Sequence, residues 1–594
     1  METINQAKVF VPVYEIFPDV RSDFETFKRL LLDLSRTDTL FWCARLNLIV
    51  SSSLDWDHKR RQEFGLQQFL TNEEIERVNI FVQKHRGAQN VGIFFRGQLL
   101  ELIRWVILYC RDHPDDGNTF EDPKVRRKFA QVVLIAGDIW QKRVFKDNFS
   151  LNEGIDIARE RALGTIRKSV EASELSPDIS KSIGRGWIFF KDYFSCYYGE
   201  FEKDFLSSTG LSVEQYYICL SAMIANFLNP DRGTCILNST NLGQETSYRD
   251  IFEKYIALES QTLDELRNAL WKQNEINIGS DENASSYNYL PLREKPILRV
   301  NDGRAIILDP VFYSEKASVG PLFIISKRSL DRKANEIFGA FGNAFESYIS
   351  DILKRMFPNT SGILTKRLSC NVKGIDPTGN EIQIDACLND ITEIVLFEMK
   401  AIWIREDKIL TENPEDYIKY LQEKYGVTQT THDRRSGIAQ LVRIIELLAS
   451  KKWLGENNEF SQTNLIYPVL VVYDSLLSAP VYGNFLLSEF EKLLKPDAKN
   501  KSGELKKENL RIAPLIVITV EDMEDLETSI EHFGLRNLLA DYTQSCPDRL
   551  MSIRNFVVSS SKYQFYHNRN IANKAAEVLR KTQDIFLINS DKSS

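Results

Sequence analysis

The run Ile394 to Ile404, IVLFEMKAIWI, limits what this chain can fold into more tightly than any other stretch. It is β-branched and aromatic, the composition of a buried strand. Side chains alternate along a strand, so Glu398 and Lys400 point to the same face. Burying a carboxylate and an ammonium is costly unless each has a partner. A strand that keeps both is expected to use them for metal binding and chemistry. Asp385 lies at the end of a second apolar run, Glu381 to Leu388, with twelve residues between it and Glu398.

The flanking sequence supplies helices and more strands. A helix is expected over Asn335 to Phe357, with Ile337, Phe338, Phe341, Phe345, Ile349, Ile352 and Met356 as its apolar stripe. Gly339, Gly342 and Glu346 share a neighbouring face, where glycines would let another backbone come close. A strand near Ile363 to Val372 leads to the turn Asp376-Pro377-Thr378-Gly379-Asn380, and Glu381 to Leu388 returns from it. A helix beginning near Ser436 buries Ile438, Leu441, Val442, Ile445 and Leu448, with Gln440 beside that stripe. Ile466 to Tyr473 and Ala513 to Val520 read as further strands, Lys492 to Lys507 as a mobile loop, and Leu526 to Ala540 as a closing helix. The order implies a mixed α/β sheet flanked by helices.

This arrangement resembles the PD-(D/E)XK nuclease superfamily, the restriction-endonuclease-like fold, over about residues 335–540. The resemblance rests on the set: the acidic helix around Gly342-Asn343-Ala344-Phe345-Glu346, Asp385 on a strand, Glu398-Met399-Lys400 in an apolar strand, and Gln440 on the following helix. Asp385 follows isoleucine where the superfamily commonly has proline. The resemblance implies a Mg²⁺- or Mn²⁺-dependent hydrolase of phosphodiester bonds. Two carboxylates on adjoining strands make an oxygen-rich pocket that suits those ions better than zinc. Asp385 and Glu398 would be the principal ligands and the Met399 carbonyl a third. Glu346 would serve a second ion or a metal-bound water. Lys400 would position or deprotonate the attacking water, and Gln440 would complete the catalytic set. Lys366, Arg367, Lys373, Arg405, Lys408, Arg434, Arg435 and Arg443 are the basic residues placed to contact phosphates, which give affinity without sequence choice. DNA is favoured over RNA as substrate, in a microbial restriction-like or antiviral defence role, with a homo-oligomer or a defence-system protein as partner. The opposing reading is a non-enzymatic scaffold that retains a nuclease-like domain.

The rest of the chain reads as support. Residues 1–285 are mainly helical, with capping boxes at Thr71/Glu74 and Ser212/Gln215 and a staple from Leu211 to Tyr216. One helix is expected over Tyr248 to Trp271. The polar stretch Gly279 to Tyr287 marks a boundary. Residues 286–334 hold a β-hairpin turning at Asn301-Asp302-Gly303, residues 335–545 the nuclease-like domain, and 546–594 a helical extension with a polar tail. The fold class is therefore multidomain, a helical N-terminal half followed by the α/β domain. Net charge is −8, which excludes a simple polycation coating nucleic acid but leaves room for a local basic groove. Eight cysteines without a C-x-x-C pair suggest free thiols in a reducing, cytoplasmic setting. No P-loop, H-E-x-x-H or G-x-S-x-G motif occurs. The apolar run Leu99 to Cys110 is broken by Glu101 and Arg104, so no membrane span is expected.

Overall fold

The structure, a computed structural model, describes residues 9–51, 58–85, 91–112, 120–144, 163, 178–227, 236–238, 246–276, 289–300, 304–327, 329, 331–358, 367–390, 392–404, 408, 414–426, 437–455, 460, 462–500 and 503–586. The stretch Gly279 to Tyr287 and the turn Asn301-Asp302-Gly303 lie outside them.

The N-terminal half is helical. The Thr71 hydroxyl accepts from the Glu74 amide while the Glu74 carboxylate accepts from the Thr71 amide, and Ser212 and Gln215 do the same. The apolar helix Arg96–Tyr109 is buried along almost its whole length. The helix expected over Tyr248 to Trp271 is in fact two, Thr246–Glu259 and Leu263–Ile276. Between them Ser260–Thr262 is a short strand, paired in parallel with Ile297–Arg299. The hairpin strands Ile297–Arg299 and Arg304–Ile307 thus belong to a four-stranded sheet, with Ile236–Asn238 on its other edge. Its local turn pattern was readable. Its partner strands, Ser260–Thr262 and Ile236–Asn238, are only three residues long and distant in sequence, too short to carry a strand signature of their own.

The C-terminal half is built on a nine-stranded mixed sheet. Its strands are β1 (Arg367–Ile375), β2 (Glu381–Asp390), β3 (Glu393–Lys400), β4 (Leu454–Gly455), β5 (Leu465–Val472), β6 (Ala498–Lys499), β7 (Leu505–Lys507), β8 (Leu510–Ile512) and β9 (Ile516–Thr519). The order is β4-β1-β2-β3-β5-β8-β7-β6, and β9 also pairs with β5. β2 runs antiparallel to both β1 and β3, whereas β3 and β5 run parallel from Glu393↔Leu465 to Lys400↔Val472. Every residue of β5 is buried, as expected of a strand with parallel neighbours and covered faces.

Four details depart from expectation. β3 ends at Lys400, because Asp474 takes the Ile404 amide at 2.8 Å and Trp403 packs against Phe341 and Tyr473 instead of continuing the ladder. The strand expected over Ala513 to Val520 is shorter, β9 alone, and a separate strand β8 precedes it on the same edge of β5, with Pro514, which lacks an amide donor, between them. The segment Lys492 to Lys507 is not a plain loop. It ends one helix and adds the edge strands β6 and β7. The closing helix is broken at Gly534, whose φ is 76°, into Val520–Phe533 and Leu535–Ser545.

Among the described residues the C-terminal half carries eight α-helices: α1 (Asp331–Met356), α2 (Pro414–Lys424), α3 (Ile438–Ala449), α4 (Pro480–Leu494), α5 (Val520–Phe533), α6 (Leu535–Ser545), α7 (Ile553–Ser559) and α8 (Arg569–Phe586). One sheet face, with Ala386, Leu388, Val395, Phe397 and Met399, packs with α1 into a core continuous with the helical half. The other face, with Ile394, Leu396, Ile466 and Leu470, meets α2, α3 and α4 in a second core. The two halves are locked by buried charge. Arg185 donates from Nε and Nη2 to the two oxygens of Glu524 on α5, at 2.7 and 2.9 Å. Tyr348 of α1 donates to the same carboxylate at 2.8 Å. The helix Ile179–Ile188 that carries Arg185 also runs against α8 and against Pro310–Lys327. A Cβ on Gly186 would collide with the Ala317 carbonyl oxygen. The C-terminal extension is therefore folded back onto the helical half.

Candidate active site

The site forms where β2 and β3 part. Their ladder runs from Asp390↔Glu393 to Ala386↔Phe397. One step further, Asp385 stands across from Glu398. There the ladder stops, and the Met399 amide donates 2.8 Å to Asp385 Oδ2 instead. The strand on the other side of β2 is distorted at the same level. The β1–β2 register passes over the Asn371/Asp385 pair, and Asn371 has φ 53°. Asp385 thus turns its carboxylate toward β3.

Glu398 is 1% exposed. Its Oε1 accepts from the Gly437 amide at 2.9 Å and lies 3.0 Å from Lys400 Nζ. Its Oε2 is buried with no hydrogen-bond partner. Such an atom costs free energy unless something else compensates it. Burial pushes the Glu398 carboxyl up, and the Asp385 charge adds to this, against the opposing pull of Lys400. Burial also raises Asp385, opposed by the Met399 amide and Lys400. For Lys400, burial pulls downward, but Glu398 and Asp385 outweigh it and hold the ammonium above its usual range. Glu346, on α1, is pushed up to about 7, chiefly by burial and then by Asp385. Three carboxyl groups and one ammonium therefore share one electrostatic neighbourhood, in which the carboxyls keep their protons to higher pH than usual.

The other expected residues divide. Gln440 commits its amide nitrogen to the Gln383 carbonyl at 2.6 Å, which braces β2 two residues before Asp385. Arg443 holds Asp376 at 2.7 Å, and Asp376 in turn caps its own turn through Thr378 and Asn380. Lys373 pairs with Glu381 across β1 and β2, with both side chains largely exposed. Lys408 is half-buried. Lys366, Arg405, Arg434 and Arg435, and the side chain of Arg367, lie outside the described residues. Met399 is buried in β3, between the two charged residues. The glycines of α1 do not serve the expected purpose within the chain. A Cβ on Gly339 or Gly342 meets nothing within 4 Å, and Phe338 beside them is 41% exposed rather than core.

Gly437 is the site residue that sequence reasoning missed. A glycine ahead of an apolar helix signals a start, but nothing local says that its amide reaches Glu398. Among the described residues, no group of three or more His, Cys, Asp or Glu side chains is gathered closely enough to hold a metal ion, and no helix is long and apolar enough to cross a membrane. The donors available to a cation are thus two carboxylates, Asp385 and Glu398, together with backbone carbonyl. That set fits Mg²⁺, which commonly takes one or two carboxylates and fills its remaining positions with water and phosphate oxygens. In comparison with known proteins, no family model, no curated protein and no solved structure matches the chain.

Proposed function

We propose that the chain is a Mg²⁺-dependent nuclease that hydrolyses phosphodiester bonds, with DNA as the favoured substrate and the sheet of the C-terminal half as a restriction-endonuclease-like scaffold. One observation carries this reading. Asp385 and Glu398 converge where two strands part, beside Lys400, and Glu398 Oε2 is buried without a partner. A buried, unpartnered carboxyl oxygen beside a second carboxyl is what a divalent cation would compensate, and cation binding would draw both groups into their ionised form. Asp385, Glu398 and the Met399 carbonyl would hold it. When bound, it would supply Lewis-acid stabilisation of phosphate charge.

The chain's own groups supply the rest. Lys400 stays protonated at neutral pH, so it orients the attacking water and offsets charge on the phosphate rather than taking a proton. Glu346, pushed up to about 7, is the group suited to accept the proton of that water. Gln440 and the Met399 amide fix the backbone and side chain of the Asp385 strand. The test is cleavage of linear, circular and single-stranded DNA and of RNA, with and without Mg²⁺, by the wild type and by Lys400→Ala. Metal-dependent cleavage lost in the variant supports the enzyme. Absence of cleavage on every substrate, with nucleic-acid binding equal in both proteins, leaves the scaffold reading.

A further inference from the structure

We infer that Gly437 is a positioning residue for the cation, and that Glu398 Oε2 is the oxygen it presents. This rests on the nuclease reading above and adds which atoms do what. Glu398 Oε1 is engaged twice, by the Gly437 amide at 2.9 Å and by Lys400 Nζ at 3.0 Å. Both donors fall on one oxygen, so the carboxylate cannot rotate without losing both. Oε2 is left buried and unpartnered, the geometry of a ligand oxygen held ready. Lys400 alone would not fix the carboxylate, because a lysine side chain follows wherever the charge moves. A backbone amide does not follow.

The position admits only glycine. Gly437 has φ 62° and ψ −132°, and a Cβ there would collide with the Tyr425 carbonyl oxygen. The close approach is a latch. The Ile438 amide donates to the Tyr425 carbonyl at 2.9 Å, and the Ala439 amide to the Gly426 carbonyl at 2.9 Å. The end of α2 is thereby tied to the start of α3, and the Gly437 amide is aimed across at β3. α3 also places its N-terminal end, where partial positive charge collects, against the Glu398 carboxylate. Backbone and side-chain partners behind a metal ligand orient it, and their loss typically costs roughly 10–100-fold in metal affinity or activity.

The experiment compares the full-length wild type, Gly437→Ala and Gly534→Ala. Gly534 also sits at positive φ, but at the α5–α6 break, where its backbone bonds Ile530 and Leu538. Mg²⁺ and Mn²⁺ affinity is measured by calorimetry, and cleavage is followed against metal concentration. Gly437→Ala should lose roughly 10–100-fold in metal affinity, with cleavage recovering toward wild type at saturating metal. Gly534→Ala should lose thermal stability and keep its metal affinity. A folded Gly437→Ala that binds metal like the wild type overturns the inference but leaves the nuclease reading standing. A wild type that binds no metal overturns both. If Gly437→Ala does not fold, hydrogen exchange at the 437 amide decides between wild type and Glu398→Ala. Faster exchange in Glu398→Ala supports the inference, and unchanged protection overturns it.

Discussion

Replacing Glu346 by glutamine should flatten the dependence of stability on pH. In the folded protein this carboxyl is raised from 4.5 to about 7, first by burial and then by Asp385, with Lys400 opposing. A raised carboxyl binds its proton more tightly when folded. Its stabilising contribution is complete below the unfolded value and is lost as pH rises through about 7. The displacement corresponds to on the order of 3 kcal/mol between pH 4.5 and 8. At roughly 2–4 °C per kcal/mol for a domain of this size, that is about 6–12 °C of melting temperature. Asp385 and Glu398 are displaced in the same direction and steepen the loss. Melting curves of wild type and Glu346→Gln from pH 5 to 8 isolate the contribution as a difference of slopes. Mg²⁺ favours the ionised cluster, so it should stabilise the wild type more at pH 8 than at pH 5. A cation at a hundred times its dissociation constant adds about 2.7 kcal/mol. Equal slopes in the two proteins, or equal Mg²⁺ stabilisation at both pH values, would refute the reasoning.

Five further substitutions test the packing around the site and between the two halves. Arg185→Met leaves Glu524 buried without its guanidinium and should cost about 3–5 kcal/mol by denaturant unfolding. Tyr348→Phe removes only one hydrogen bond to that charge and should cost about 1.5 kcal/mol or somewhat more in the same assay. Glycine-to-alanine changes should differ in sign by position. Gly339→Ala and Gly342→Ala meet open space on a helix and should each stabilise by about 0.5–1 kcal/mol, whereas Gly186→Ala forces two backbones apart and should destabilise by about 1–3 kcal/mol.

Much of the sheet was legible because its signals are local. The continuous β-branched and aromatic run of β3, the Asp376 turn and the α3 stripe each lie within a dozen residues. The caps at Thr71 and Ser212 were legible for the same reason, since both partners sit three residues apart. What stayed hidden depends on distance in sequence. The Gly437 amide reaches a carboxylate 39 residues earlier, and Arg185 reaches one 339 residues later. The strand Ser260–Thr262 exists only because Ile297–Arg299 lies beside it. Spacing alone also misled for α1. It could not say that Gly339 and Gly342 meet open space within the chain while Glu346, one turn on, is half-buried within the field of Asp385.

The most direct measurement locates the ion itself. Crystals soaked in Mn²⁺ and measured at its absorption edge should show an anomalous peak bonded to Asp385 and to Oε2 of Glu398, with the Gly437 amide still on Oε1. A peak elsewhere, or none while the Glu398–Lys400 pair stays intact at saturating Mn²⁺, would contradict the account.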